Sequence, residues 1–169
     1  MTWTDITFDC LKEQRLETVV YVPDIVLADL IRRVEADPYF TAISPTREEE
    51  GVGIICGAYL GGKRGVLMMQ NSGIGNAANA IAGLINPCQI PFVMLINPRG
   101  DLGEFNPAQV GMGQALRPVL DGLTIQHFTV EREDALAATL SGASKLAFST
   151  DRPVAVILSP LMTGGKTAP

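Results

Sequence analysis

Only one histidine, His127, occurs among the 169 residues, and the three cysteines, Cys10, Cys56 and Cys88, lie far apart. One imidazole and scattered thiols do not make a zinc site of the usual spacing. An odd number of cysteines without close pairing excludes a disulfide framework and suits the reduced thiols of a cytoplasmic protein. Long apolar runs are missing too: Phe92 to Ile96 and Val154 to Leu158 fall far short of the about 18 residues that span a bilayer. Met1 to Glu13 carries Asp5 and Asp9 and no basic stretch ahead of an apolar one, so no secretory signal is expected there. Positive charge is scarce, with 13 Lys and Arg against 18 Asp and Glu and a net charge of −5. That balance lacks the basic surface that a phosphate backbone demands. Metal ligation by this chain, nucleic acid and membrane are set aside as partners.

What is present is the make-up of a globular domain, with 47% hydrophobic and 18% charged residues, and residues 1–169 are read as one domain. Short aliphatic runs alternate with stretches of helical period, the pattern of a parallel sheet with crossover helices. Strands are expected near Val19 to Val22, Phe40 to Ser44, Gly65 to Gln70, Phe92 to Ile96, Leu123 to Phe128 and Val154 to Ser159. Several are continuously apolar, as befits strands covered on both faces. Between Asp24 and Ala36, the residues Leu27, Leu30, Ile31 and Val34 share a helical face, and a second helix is expected over residues 131–148. The fold class is therefore α/β: a three-layer α/β/α domain with a six-stranded, mostly parallel sheet. Pro98 to Pro107 reads as an extended loop beside strand ends.

Three segments carry candidate chemistry. In Ser44-Pro45-Thr46-Arg47-Glu48-Glu49-Glu50, Thr46 and Glu49 have the spacing of a capping box. Advancing about 100° per residue from Glu48, Val52, Ile55 and Tyr59 return to nearly the same direction. Glu48 then points with the apolar stripe, either as a carboxyl held in a cleft or as one more acid complementing the helix dipole. The stretch Gln70-Asn71-Ser72-Gly73-Ile74-Gly75 runs from a strand into a helix and brings backbone amides to the carboxyl end of the sheet, where ligands bind in such folds. As Gly73-x-Gly75-x-x-Ala78 it also meets a relaxed dinucleotide fingerprint, and a non-catalytic nucleotide-binding module is the alternative it leaves open. Val22-Pro23-Asp24 closes the first strand, and Asp24 either caps the next helix or faces the same crevice as Glu48 and Asn71. His127, the three cysteines and the pair Met68 and Met69 read as packed residues.

Taken in order, Val22-Pro23-Asp24, Thr46 to Gly53, Gly57-Ala58-Tyr59, Met69-Gln70-Asn71-Ser72-Gly73-Ile74-Gly75-Asn76 and Pro153 to Pro160 resemble the pyrimidine-binding domain of thiamine-diphosphate-dependent decarboxylases. Within that family the sequence is most similar to the α subunits of sulfopyruvate decarboxylases, with phosphonopyruvate decarboxylases next. In the family a glutamate nine residues before the Gly of the Gly-Ala-Tyr motif hydrogen-bonds the cofactor's aminopyrimidine, and counting back from Gly57 selects Glu48. The resemblance implies that Glu48 is the catalytic residue, favouring the imino tautomer of that ring as a proton relay. It also implies that Pro23, Asn71, Ser72, Gly73 and Gly75 line the cofactor pocket, and that Asp24, Arg47 and Gln70 face a small anionic 2-keto acid. Family members hold the cofactor diphosphate through magnesium with a Gly-Asp-Gly motif followed later by Asn. Here the only Gly-Asp is Gly100-Asp101, and no Asn follows Asn106. The resemblance thus implies a hetero-oligomer in which a β subunit supplies the magnesium and diphosphate site.

Overall fold

Six short strands, β1 (Thr18–Tyr21), β2 (Thr41–Ile43), β3 (Gly65–Gln70), β4 (Val93–Asn97), β5 (Gln126–Val130) and β6 (Val154–Leu158), form one sheet in a computed structural model that describes residues 1–166. Residues 167–169 of the expected domain lie outside the described residues. The strand order is β2-β1-β3-β4-β6-β5 and every pairing is parallel. The helices are α1 (Trp3–Glu13), α2 (Ala28–Ala36), α3 (Glu48–Leu60), α4 (Ser72–Ala80), α5 (Asn86–Cys88), α6 (Pro107–Gly122), α7 (Glu133–Thr150) and α8 (Pro160–Thr163), with a π-helical turn at Ile81–Ile85 joining α4 to α5.

Alternation along the strands sorts the core into two halves. Val19, Tyr21, Met68 and Leu95 pack under α1, α2 and α7. Val20, Leu67, Met69 and Ile96 pack under α3, α4 and α6. Strands β1, β3, β4 and β6 are buried along nearly their whole length, which is why they read as unbroken apolar runs. No helix among the described residues is long and apolar enough to cross a membrane.

Several expectations shift. Helix α1 has no counterpart in the sequence reading because its buried face includes Thr4 and Thr7 beside Cys10 and Leu11, so the apolar period is masked. The Thr7 hydroxyl is satisfied by the Trp3 carbonyl at 2.8 Å. The chain from Asp24 turns before α2 begins at Ala28. β5 starts at Gln126, not Leu123, because Leu123 to Ile125 close α6: Ile125 N–H donates to Leu120 O at 2.9 Å and Thr124 adopts φ 57°. That is a left-handed helix stop with its apolar contact. His127 is not a core residue but sits half-buried on the edge strand β5, 3.2 Å from Asp121 Oδ1. Cys10 and Cys56 are buried, and burial pushes both thiols up. Cys88 departs from the core reading: it ends α5 beside Gln89, whose φ of 53° turns the chain outward, and is exposed.

Candidate active site

All strands being parallel, their carboxyl ends share one edge of the sheet, and the chain leaves β1 and β3 in opposite directions. A crevice opens at that switch point, the usual ligand position in open α/β sheets. Asp24 follows β1, Glu48 begins α3 after β2, Asn71 follows β3 and Asn97 ends β4. The register pairs Tyr21 with Met68 and Gln70 with Asn97, so these residues arrive at the same level.

Glu48 is 8% exposed, while Glu49 and Glu50 face solvent. Of the two sequence readings the inward one holds. The expected Thr46–Glu49 capping box does not form: Arg47 occupies the cap without a side-chain hydrogen bond, and Glu50 Oε2 accepts the Thr46 N–H at 2.8 Å instead. Glu49 stands 3.6 Å from Arg47 Nε, an exposed pair of little energetic worth. The Glu48 side chain lies across Gly73, in the first turn of α4. A Cβ at Gly73 would sit 2.5 Å from Glu48 Cγ and 2.7 Å from Cδ and Oε1. The missing side chain is the space the carboxylate occupies. Asn76 Nδ2 donates to Glu48 Oε2 at 2.9 Å.

Asp24 does not cap α2, whose cap is Leu27 without a side-chain hydrogen bond, but shapes the turn ahead of it. Its Oδ1 accepts the N–H groups of Val26 at 2.9 Å and Leu27 at 3.3 Å, turning the chain toward α2, and also the Asn97 Nδ2 at 2.9 Å. Pro23 beside it is exposed. Asn71 is fully buried, and its amide is used on both sides: Nδ2 donates to Arg99 O and Oδ1 accepts Arg99 N–H, each at 2.9 Å. Gln70 Nε2 donates to Ser72 Oγ at 2.8 Å and to Gln109 Oε1 at 3.3 Å. Gly75 is exposed, and a Cβ there would meet only Met112 at 3.8 Å. Arg47 is exposed, with its Nη2 3.4 Å from Asn76 Oδ1.

The loop after β4 forms the far wall. Arg99 and Glu104, with side chains 8% and 6% exposed, pair in a bidentate fork at 2.6 and 2.7 Å. The Arg99 guanidinium, helped by the Gly100 N–H, holds the Glu104 carboxyl well below the usual range. A depressed carboxyl contributes stability that is present above its ordinary value of 4.5 and is lost as pH falls toward the lowered one. Glu104→Gln leaves the guanidinium without its counter-charge, so the melting temperature at neutral pH drops and its decline on acidification below about pH 4.5 becomes shallower than in the parent. Melting curves at stepped pH check this; equal acid sensitivity of the two proteins refutes it. The loop also meets α6 backbone to backbone. Gly100, at φ 70°, would place a Cβ 2.1 Å from Gln109 O, and Gly113 would place one 2.2 Å from Gly100 O.

Asn76, Asn97, Arg99 and Glu104 were not singled out from sequence. Asn97 ends an otherwise apolar strand and Asn76 stands one turn beyond Gly73; both are signals that helix and strand periodicity contains but that no motif advertises.

Comparison with known proteins gives the family to which the chain belongs. Residues 1–96 match the family model described as "Thiamine pyrophosphate enzyme, N-terminal TPP binding domain". The chain is 35% identical to the sulfopyruvate decarboxylase subunit alpha of Methanococcus maripaludis, over 95% of this chain and 96% of that one. It is 38% identical to the corresponding subunit of Methanocaldococcus jannaschii, over 91% of each chain. A phosphonopyruvate decarboxylase of Streptomyces viridochromogenes is 39% identical over 62% of this chain and 26% of its own length. With a buried glutamate at the head of α3, a glycine-made space beneath it and this run of relatives, the chain belongs to the thiamine pyrophosphate enzymes, as a member of their N-terminal TPP binding domain family.

Proposed function

We propose that this chain is the α subunit of a heteromeric thiamine-diphosphate-dependent 2-keto acid decarboxylase that converts 3-sulfopyruvate to sulfoacetaldehyde and carbon dioxide. The observation that carries the reading is the Glu48 carboxylate, buried, held at Oε2 by Asn76 and laid over a glycine that leaves room for it. Among the described residues Asn76 is the only hydrogen-bond donor to that carboxylate. Oε1 has no partner among them and is not sealed from the opening of the site, so the carboxylate has one oxygen fixed and one free to meet an aminopyrimidine ring nitrogen that shares a proton with it. The same carboxylate gives the N-terminus of α4 the wrong sign for a dinucleotide's diphosphate, which tells against the nucleotide-binding alternative.

When bound, thiamine diphosphate supplies the electron sink that lets a 2-keto acid release carbon dioxide. The chain's own residues position and protonate. Glu48 takes and returns a proton at Oε1, acting as a relay and not as a nucleophile. Gly73 gives it room, and Ser72 and Gly75 stand with it on the pyrimidine side. Asn71 serves that wall by clamping the Arg99 backbone. Pro23 and Asp24 stand on the thiazolium and substrate side, with Gln70. Arg47, exposed at the rim, offers its guanidinium to the substrate's sulfonate.

Among the described residues no group of three or more His, Cys, Asp or Glu side chains is placed to hold a metal ion, and the sequence has no Gly-Asp-Gly. Magnesium and the diphosphate are therefore assigned to a β subunit across the crevice. The "subunit alpha" in the names of the two archaeal relatives supports a hetero-oligomer. Three unpaired thiols suit the cytoplasm.

The test is native purification, identification of whatever accompanies the chain, and assay of the preparation for thiamine diphosphate and for decarboxylation of 3-sulfopyruvate and phosphonopyruvate. A companion bearing Gly-Asp-Gly and a later Asn, with bound cofactor and faster turnover of sulfopyruvate, supports the reading in full. Faster turnover of phosphonopyruvate moves the substrate. A lone homo-oligomer without thiamine diphosphate overturns the assignment.

A further inference from the structure

We infer that Asn76 is a positioning residue that divides the labour of the two Glu48 oxygens, tying Oε2 down so that Oε1 alone is presented to the cofactor; this rests on the function proposed above. A glutamate has three side-chain torsions, and a carboxylate with two equivalent oxygens does not by itself present one of them in a fixed direction. Here the Asn76 amide removes that freedom through the 2.9 Å bond to Oε2. Asn76 lies three residues after Gly73 and so on the same side of α4. One turn of one helix thus provides both the space for the carboxylate and the donor that orients it.

The direction of the Asn76 amide is itself determined by charge. Its Oδ1 faces Arg47 Nη2 at 3.4 Å, while its Nδ2 faces the carboxylate. A flipped amide would set oxygen against carboxylate and NH2 against guanidinium, two repulsive contacts in place of two attractive ones. Arg47 therefore holds Asn76, and Asn76 holds Glu48. The chemistry of the intermediary matters. A lysine or arginine in its place would pair with the carboxylate and weaken its hold on the proton that Glu48 must share. An aspartate would repel it. A neutral amide orients the group and leaves its charge in place.

The prediction is tested in the assembled enzyme with its partner subunit, by equilibrium binding of thiamine diphosphate at fixed magnesium alongside turnover. The proteins compared are the parent, Asn76→Ala, Asn76→Asp, Glu48→Ala and the double variant Asn76→Ala/Glu48→Ala. Asn76 is exposed, so its variants fold, with a melting temperature lowered by no more than the loss of one hydrogen bond to the Glu48 carboxylate accounts for. Asn76→Ala weakens cofactor binding about tenfold, the usual worth of a hydrogen bond to a charged group. Asn76→Asp weakens it further by placing like charges in contact. In the Glu48→Ala background, Asn76→Ala has no additional effect, because there is no carboxylate left to orient. An equal loss in both backgrounds, or no loss in either, overturns the positioning role while leaving the proposed function standing. Glu48→Ala with undiminished binding and turnover overturns the function itself.

Discussion

Glu48→Gln lowers turnover about a thousandfold with little change in melting temperature, within the range that a positioned proton-transfer group contributes. The substitution is isosteric. A glutamine keeps an oxygen able to accept the Asn76 Nδ2 bond at the position of Oε2 and fits the same space over Gly73. What it loses is the second acceptor oxygen and the capacity to take a proton, and an NH2 group now stands where a carboxylate oxygen did. Because the Asn76 bond at Oε2 survives and the new NH2 stands where an oxygen already lacked a protein partner, the fold gains no further unsatisfied position, and removing a buried charge costs no stability. The loss falls on kcat more than on KM, since the proposed substrate side of the crevice, around Asp24 and Gln70, is untouched. Steady-state kinetics and a thermal melt on the same preparation check both halves. Turnover within a few-fold of the parent would remove Glu48 from the mechanism.

Gly73→Ala is the second large effect, about a hundredfold on turnover, and it comes from a methyl group. The added Cβ lies 2.5 Å from Glu48 Cγ, closer than any real contact, so one of the two must move. Gly73 is held in α4 with Ile74 and Ala77 packed into the core, whereas Glu48 is a jointed side chain on the first turn of α3. The glutamate is the partner that yields. It swings from its place, leaves Asn76, and no longer presents Oε1. Stability changes little, because alanine's better helix propensity, worth about 0.5–1 kcal/mol, offsets the displacement. Gly142→Ala, in α7 with nothing within 4 Å of the added Cβ, is the matched control and leaves turnover at the parental level. A Gly73→Ala enzyme with normal turnover means that Glu48 works from another rotamer.

The fold was legible because its central strands are so apolar that only a doubly covered sheet accommodates them. Glu48 was legible because Val52 and Ile55, which share its helical direction, are core residues. The capping argument that accompanied it failed at the detail of which glutamate reaches back, since Glu49 and Glu50 both stand in the first turn and spacing alone does not choose between them. Helix α1 stayed hidden behind threonines that bury as well as valines would. The asparagines were the least legible part. Asn71 was given its role only through the family resemblance and Asn76 and Asn97 were not singled out, and their side chains bond partners 28, 28 and 73 residues away. Such pairings arise only when the sheet register brings strand ends together, and no local pattern encodes them.

The segment between β4 and α6 has no regular secondary structure, yet it is tied at every level: Asn71 grips the Arg99 backbone, the Arg99 and Glu104 side chains interlock, and Gly100 and Gly113 let main chain lie on main chain. Holding one residue's backbone costs about 1–2 kcal/mol of conformational entropy, so ordering the nine residues from 98 to 106 only when a ligand or subunit arrived would cost roughly 9–18 kcal/mol at that moment. The chain meets that cost once, during its own folding. Whatever docks against this wall meets a surface already set, and its affinity is not drained by having to shape it.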